Sequence, residues 1–563
     1  TSLNAAGIDG AIQLAQPAKP AADNEAIALS ERERLTLPEI QLPINVELAS
    51  LLVTDVTISG AAEYQVERLL VEARAEGSDI TLSTLELATP DADATLSANV
   101  TLSGGYPLDA AVRAELWLPE LLPALSGEQV SLNLSGSLAD LTANLNATGP
   151  VNASLTAQVD ALAPTLPFEA QLESDRLQWP LVDNSEIPEA SSDEPATTAE
   201  SYVLENLSLG VNGSLEAYQV TLETNAEGPQ VPATAIRLSG EGDLASFHWS
   251  PLTLTINDSE LSSEGRVSWE EAIEVDTNVR LDNVDPSLFV PQLAGNLSGD
   301  IVASVRQRGE RWDISLPELD IQGQLQEYPL TLKASLEANS ELEVDIEELL
   351  FTQGDNRLTA SGQLSQEAMS LEANIALNQL QSLHPDLAGT LTGDIQAQGS
   401  FSRPEVVVEL NGRSLRFAEN RLTALSLSGN VEGLDDPDLN IELDLQGVNA
   451  GGQALASVAL DLTGRLSEHA LQLSTTGEAD NVLSQANLAL DGRFNQQTQQ
   501  YQARLTPLEV DSEAGDIRLE APLDITYNLA NGQARLTPFC LRRLQGGLVC
   551  SEEHITASSD QGR

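Results

Sequence analysis

Aromatic residues make up only 4% of this 563-residue chain. A compact globule of that size leans on Phe, Tyr and Trp for core volume, so their scarcity argues for a body one side-chain layer deep. Cations are scarce too. Lys and Arg number 27 against 86 Asp and Glu, a formal net charge of −59, and Lys19 and Lys333 are the only lysines. A nucleic-acid binder must neutralise phosphates with basic side chains, so that class is excluded. Docking on an anionic membrane by a basic patch is excluded for the same reason. The excess acid reads as the solvated outer face of a long body, suited to a salty habitat.

Catalytic and metal-binding groups are equally sparse. The four histidines, His248, His384, His469 and His554, are far apart in sequence. No zinc spacing, Gly-rich phosphate loop or nucleophile elbow occurs, so no enzyme activity, catalytic residue, metal site or cofactor is expected. The acidic run from Asp435 to Asn440 lacks the ligand spacing and closing Glu of a calcium loop and reads as a turn. The longest apolar stretches, such as residues 48–53, fall far short of the ~18 to 20 residues that cross a bilayer as a helix. No signal peptide is visible, the chain opens on Thr1, and its one methionine is Met369, so it reads as processed or as a piece of a longer protein.

What is abundant is a short phrase, apolar-x-Gly-x-apolar. It occurs around Gly136, Gly295, Gly323, Gly389, Gly429, Gly464 and Gly492. Between the glycines, Leu, Ile and Val alternate with Thr, Asn, Asp and Glu. Period-two alternation puts the apolar side chains of a strand on one face and the acids on the other. The glycines are expected where one strand stops and the next begins, as turns or bulges. Their spacing drifts, which fits units of several strands and not a strict β-helix. The fold class expected is all-β, an elongated, repetitive and mainly antiparallel sheet.

Four segments are delimited. Residues 1–34 are irregular, with a short exposed helix expected over 24–34. Residues 35–182 carry the first part of the β pattern. Residues 183–200 are acidic and rich in Ser, Pro and Ala, as in a flexible insertion. Residues 201–563 resume the pattern.

One-faced strands have a physical consequence. At ~11 residues per strand and turn the chain would hold ~50 strands. Open sheets rarely exceed ~10 strands without curling, so apolar face must turn toward apolar face. Either the faces meet as a dry sandwich, or they stay apart and leave a trough. A trough lined by Leu and Ile suits acyl chains: burial recovers about 0.8 kcal/mol per CH₂, on the order of 12 kcal/mol for a ~16-carbon chain. The candidate lining is Leu252, Leu254, Ile256, Leu342, Val344, Ile346, Ile441, Leu443 and Leu445, from three strands of regular alternation. Cys540 and Cys550 bracket Gly546 and Gly547. In an exported protein this spacing suits a hairpin-spanning disulfide; in a reducing compartment the pair would be buried thiols or a weak metal half-site.

Several phrases, taken in order, resemble the TamB family of the AsmA-like superfamily. They are LTLPEIQLPINVELASLLVTDV over residues 35–56, the phrase around Trp179 and Pro180, and the stretch from Asp285 through Pro291 to Gly299. The stretch from His384 to Gly393 and the cysteine pair complete them. The resemblance implies a U-shaped trough (a β-taco) with an apolar interior, in the periplasm of a Gram-negative bacterium. It implies tethering to the inner membrane by an N-terminal helix that this chain lacks. It implies transport of phospholipid, held by its acyl chains, between the two membranes. It also implies a TamA-like outer-membrane barrel partner, met through a region absent here. The alternative within the resemblance is a scaffold for the assembly of outer-membrane β-barrel proteins, using exposed strand edges. Outside it stands a secreted β-stalk with a dry core.

Overall fold

In the computed structural model the alternating segments are strands. The structure describes residues 29–59, 63–118, 123–181, 201–451, 453–478 and 482–557. They form thirty-five strands, and every ladder is antiparallel. No α-helix occurs among the described residues, and no ladder among them closes a sheet into a barrel. The expected class, a repetitive antiparallel all-β sheet, is therefore what the chain adopts. The expected short helix is described only from residue 29, where Leu29–Glu31 is a single 3-10 turn. The acidic stretch 183–200 lies outside the described residues.

Fewer, longer strands replace the expected fifty. Arg311–Leu325 and Arg403–Phe417 each run to 15 residues. A strand of that length crosses ~50 Å, and bulges make it possible. In Ser246–Ile256 the register slips between Trp249 and Leu252, and in Val344–Gln353 between Ile346 and Leu349. The extra residue bends the strand and restores the apolar set to its face, where a turn would have ended the strand.

The repeated glycines sit mostly near strand ends or at bulges, as expected, but within the strands and not in the turns. Gly323 and Gly362 lie inside strands, at φ +153 and +132. A Cβ at either would fall 2.0 Å from the Asn296 carbonyl oxygen or 1.9 Å from that of Ser370. At Gly136, Gly295, Gly323, Gly389 and Gly464 the phrase marks where a neighbouring backbone carbonyl comes too close for a side chain; at Gly492 the close neighbours are the His469 and Tyr501 side chains, and Gly429 has room for a Cβ.

The chain divides into two units, Thr1–Val279 and Arg280–Arg563. In the first, an extended strap precedes the first strand, Val46–Ser59. Ser30 N–H donates to Glu216 Oε1 (3.1 Å), and Arg34 makes a two-pronged pair with Asp160 at 2.7 and 2.9 Å. The N–H groups of Leu35, Ile40 and Leu42 donate to the carbonyls of Leu162, Leu102 and Gly77. The Tyr106 hydroxyl donates to the Pro38 carbonyl. The strap thus touches four hairpin ends, at Glu216, Leu162, Leu102 and Gly77.

In the second unit, strand Gln500–Ser512 forks the sheet. Its residues 500–505 pair with Leu523–Asn528, and its residues 509–510 with Ile517–Leu519. The latter branch continues through Cys540–Arg543 to Leu548–Cys550. Cys540 and Cys550 face each other in that hairpin and are joined by a disulfide.

Neither unit has an ordinary core. The buried hydrophobic residues among those described are Leu162, Leu207, Leu330, Ala334, Leu380, Ala503 and Leu523. The most completely buried side chains are polar: Gln353, Asn356 and Ser382. Asn356 Nδ2 donates to Ser382 Oγ (2.7 Å) and to the Gln379 carbonyl (2.9 Å), tying a 3-10 turn, Leu380–Ser382, to a hairpin. Those buried polar groups have the partners that burial demands.

Candidate functional site: the apolar face

Register turns one-faced strands into continuous rows. In the first unit, directly opposed residues run Leu51, Val71, Leu85, Leu96, Val112, Leu132, Leu145, Leu155, Leu172, Leu209, Leu222, Leu238 and Leu252. Thirteen strands thus contribute one branched aliphatic residue each, ~58 Å of continuous row at the usual strand spacing. None of these side chains is buried; all are half-buried. A sandwich would bury them, so within the unit this face has no second layer against it.

The flanking rows here are small. Across one stretch Ala94, Ala114, Val130, Ala147 and Ala153 lie on one side of the central row. Ala98, Ala110, Leu134, Ala143, Ala157 and Ala170 lie on the other.

The second unit repeats the device with larger side chains. One row runs Leu410, Leu427, Leu443, Leu460, Leu473, Leu488 and Leu508. Beside it run Ile395, Val408, Gly429, Ile441, Leu462, Leu471 and Leu490. These too are half-buried where they carry a side chain.

The nine residues singled out by alternation are placed as follows. Leu252 is in the first unit's central row, with Leu254 and Ile256 beside it on strand Ser246–Ile256. Leu443 is in the second unit's main row, with Ile441 and Leu445 in the rows on either side. Ile346 opposes Leu336 and Gly362, and Val344 opposes Ala338 and Leu364. Leu342 stands apart: it precedes its strand at φ +62 and is 56% exposed, outside any ladder. Its left-handed backbone breaks the period that its spacing from Val344 suggested.

Residues missed by alternation alone include the alanines of the small rows, which carry no periodic signal of hydrophobicity. Also missed were Leu349 and Leu508, whose strands bulge and change parity just before them. Polar groups on this face include Thr224, Ser263, which opposes Leu252, and Thr475, all buried. His469, opposite Gly464 and Gly492, stacks on Tyr501 and meets its hydroxyl at 3.0 Å. Burial pushes the Tyr501 phenol above its ordinary pKa. Tyr218 and Phe247 stack beside Gly242, whose Cβ would lie 2.7 Å from the Tyr218 ring.

The opposite face carries the charge. Arg504 pairs with Asp524 (2.8 Å) and Lys333 with Asp320 (2.7 Å). Its hollows are shallow; one of about 640 Å³ is bounded by Arg68, Glu86, Arg113 and Glu115, with Arg68 already paired to Glu86. Such hollows are gaps between long charged side chains and offer no enclosed apolar volume. No cluster of metal-ligating side chains occurs among the described residues. Asp436, in the acidic run, accepts the N–H and hydroxyl of Ser467, both at 2.7 Å, which accounts for it as a turn cap. No described helix is long and apolar enough to cross a membrane.

The chain matches a family model described as the N-terminal domain of TamB, over residues 5–563. It is also 25% identical over 491 residues to the translocation and assembly module subunit TamB of Haemophilus influenzae. That match covers 85% of this chain and 36% of the relative, so the chain spans about a third of that relative's length.

Proposed function

Because the chain belongs to the TamB family through that N-terminal domain, we propose that its apolar face is a non-enzymatic path for phospholipid across the periplasm of a Gram-negative bacterium. The observation that carries this reading is the half-buried aliphatic row of each unit, continuous over a dozen strands in the first. Aliphatic surface left open to water over that distance is costly unless something apolar lies on it. Acyl chains fit: they are apolar along their length and need no polar partner. Eight of the nine residues named above are offered as lining; Leu342, outside the ladders, is left out. The lipid would slide because a row of Leu and Ile holds every methylene equally and no position strongly.

The relative's description as a module subunit supports a further part of the proposal. The whole protein would be held at the inner membrane and work with a TamA-like barrel in the outer one, through regions outside this chain. A second reading, scaffolding of outer-membrane β-proteins, is favoured by the strand Val46–Ser59, which among the described residues pairs along one edge only. Detergent-free purification followed by extraction and mass spectrometry separates the two. Several phospholipids per folded chain support the path. A folded chain free of lipid sinks it and leaves the scaffold.

A further inference from the structure

Cations are almost absent from the apolar face. In the second unit Arg357, Arg465, Arg493, Arg504 and Arg518 oppose Thr352, Asp438, Gln502, Asp524 and Glu509, all on the polar face. Arg543 differs. The row Ala486, Val510, Ile517 ends on it, because Ile517 is its ladder partner. It shares its face with Leu541, which opposes Leu519 and Val549, and Val549 is 74% exposed.

Its neighbours are neutralised and it is not. Arg542 is paired with Glu520 and Arg518 with Asp511. Arg543 is exposed and has no ion-pair partner among the described residues. Its guanidinium lies over Gly515, where a Cβ would sit 2.1 Å from Arg543 Nε; the nearby Gln545 side chain is taken up by Asp516, accepting its N–H and donating to its carboxylate, both at 2.8 Å. In a chain with more than three acids per base, a cation left unpaired at the end of an apolar row is a specific arrangement. A guanidinium fork matches the oxygens of a phosphate and is weakly hydrated, so it tolerates apolar surroundings.

We propose that Arg543 binds the phosphate of an amphiphile whose acyl chains lie on Leu519, Leu541 and Val549. This rests on the lipid-path reading and adds a polar stop to it. The adjoining aliphatic side chains favour a phosphate carried by a lipid over free phosphate, which gains nothing from them.

The test places a photo-crosslinking benzophenone residue at Val549, and in a second protein at Leu443, in the chain as purified with its lipid. Adducts are identified by mass spectrometry. Phospholipid adducts at position 549 are expected to fall about tenfold in Arg543→Gln and to survive in Arg543→Lys, as loss of one charge-assisted bond predicts. Adducts at position 443 should not change. Supplied diacylglycerol, which has no phosphate, should label position 549 equally in wild type and Arg543→Gln. Phospholipid adducts at 549 indifferent to Arg543→Gln would overturn the assignment and spare the path. Loss of those adducts on adding millimolar inorganic phosphate alone would make free phosphate the ligand and also overturn it. Absence of lipid adducts at both positions would remove the path and this site together.

Discussion

The two units use the same ladder and line it differently. In the first, over one stretch, the Leu/Val row stands between mostly alanine rows, as Leu96 stands between Ala94 and Ala98, and Leu145 between Ala143 and Ala147. In the second, Leu443 and Leu460 have Ile441 and Leu462 directly alongside. Backbone spacing is fixed by hydrogen bonding, so the space above the sheet is set by side-chain length alone. Replacing leucine by alanine removes three carbons per position. Over that stretch the first unit therefore has a ridge with a shallow channel on each side, and the second has a thicker lining. Bilayer-like burial of an acyl chain against the first needs the chain to lie in a channel; against the second it lies on top.

That difference predicts unequal sensitivity to a charge. Leu443→Asp puts an unpaired carboxylate into the thick lining, where a passing chain has no way round it. Burying an unpaired carboxylate costs more than the roughly 2 to 7 kcal/mol of a neutral polar group, so retained lipid per chain should fall more than tenfold. Leu145→Asp in the first unit leaves the far alanine channel open and should reduce retention by only about half. Equal losses in the two variants would show that the alanine rows are not separate channels. The side chains are half-exposed in both cases, so the fold should survive, as circular dichroism would confirm.

The forked end of the second unit offers a sharper contrast in stability. Ile517–Leu519, Cys540–Arg543 and Leu548–Cys550 are strands of three or four residues, too short to hold a ladder by hydrogen bonds and one-sided packing. The disulfide closes a loop of ten residues in sequence separation, an effect of about 3 kcal/mol on the unfolded branch. Cys540→Ser with Cys550→Ser should expose residues 540–550 to rapid hydrogen exchange. The rows through Leu443 and Leu460, in 13-residue strands, should stay protected. Exchange spreading into those strands would mean that the branch supports the main sheet.

Acid should act locally. Ser467, through its hydroxyl and then its N–H, holds the Asp436 carboxyl below its ordinary value of 3.8. A lowered folded pKa means that this contribution is complete above 3.8 and fades as pH falls through the folded value. Exchange at Ser467 should therefore be flat from pH 7 to about 5, after correction for intrinsic rates, and rise only below 3.8. Asp436→Asn should flatten that rise.

Much of this was legible in the sequence because period two is a direct record of facing. Asp444 and Leu445, one residue apart, fall on opposite faces as the alternation requires. The glycine phrase was visible, but its place inside strands was not, since a close neighbouring carbonyl belongs to another strand. Leu342 misled for a related reason: a single left-handed residue ends the period, and nothing at Leu342 itself marks it. The bulges before Leu349 and Leu508 shift parity by one, which alternation read across them cannot follow. Rows are a property of pairing, so only register could join Leu51 to Leu252 across the first unit.

The smallest expected effect concerns the strap, which the second unit lacks among its described residues. From its contact at Glu216 to that at Gly77 the strap passes eight strands, ~38 Å at the usual spacing. Residues 30 to 42, extended, cover ~40 Å. The two lengths agree, so the strap runs across the hairpin ends at about three residues per hairpin and is bonded to four of the five, at Glu216, Leu162, Leu102 and Gly77. Its attachments are mostly backbone groups, which no side-chain change removes. Arg34→Ala deletes the pair with Asp160, but Arg34 is about half exposed, so the loss should be about 0.2 to 1 kcal/mol. Exchange should quicken modestly at Leu35 and not at Leu42. Ile40→Pro removes a backbone donor instead, together with its bond to the Leu102 carbonyl. If the strap is a tie along the hairpin ends, this variant should loosen Leu42 as well as Ile40, and the alanine channels behind them should take up more lipid. Local loosening at residue 40 with unchanged lipid would mean that the strap follows the curvature of the sheet and does not set it.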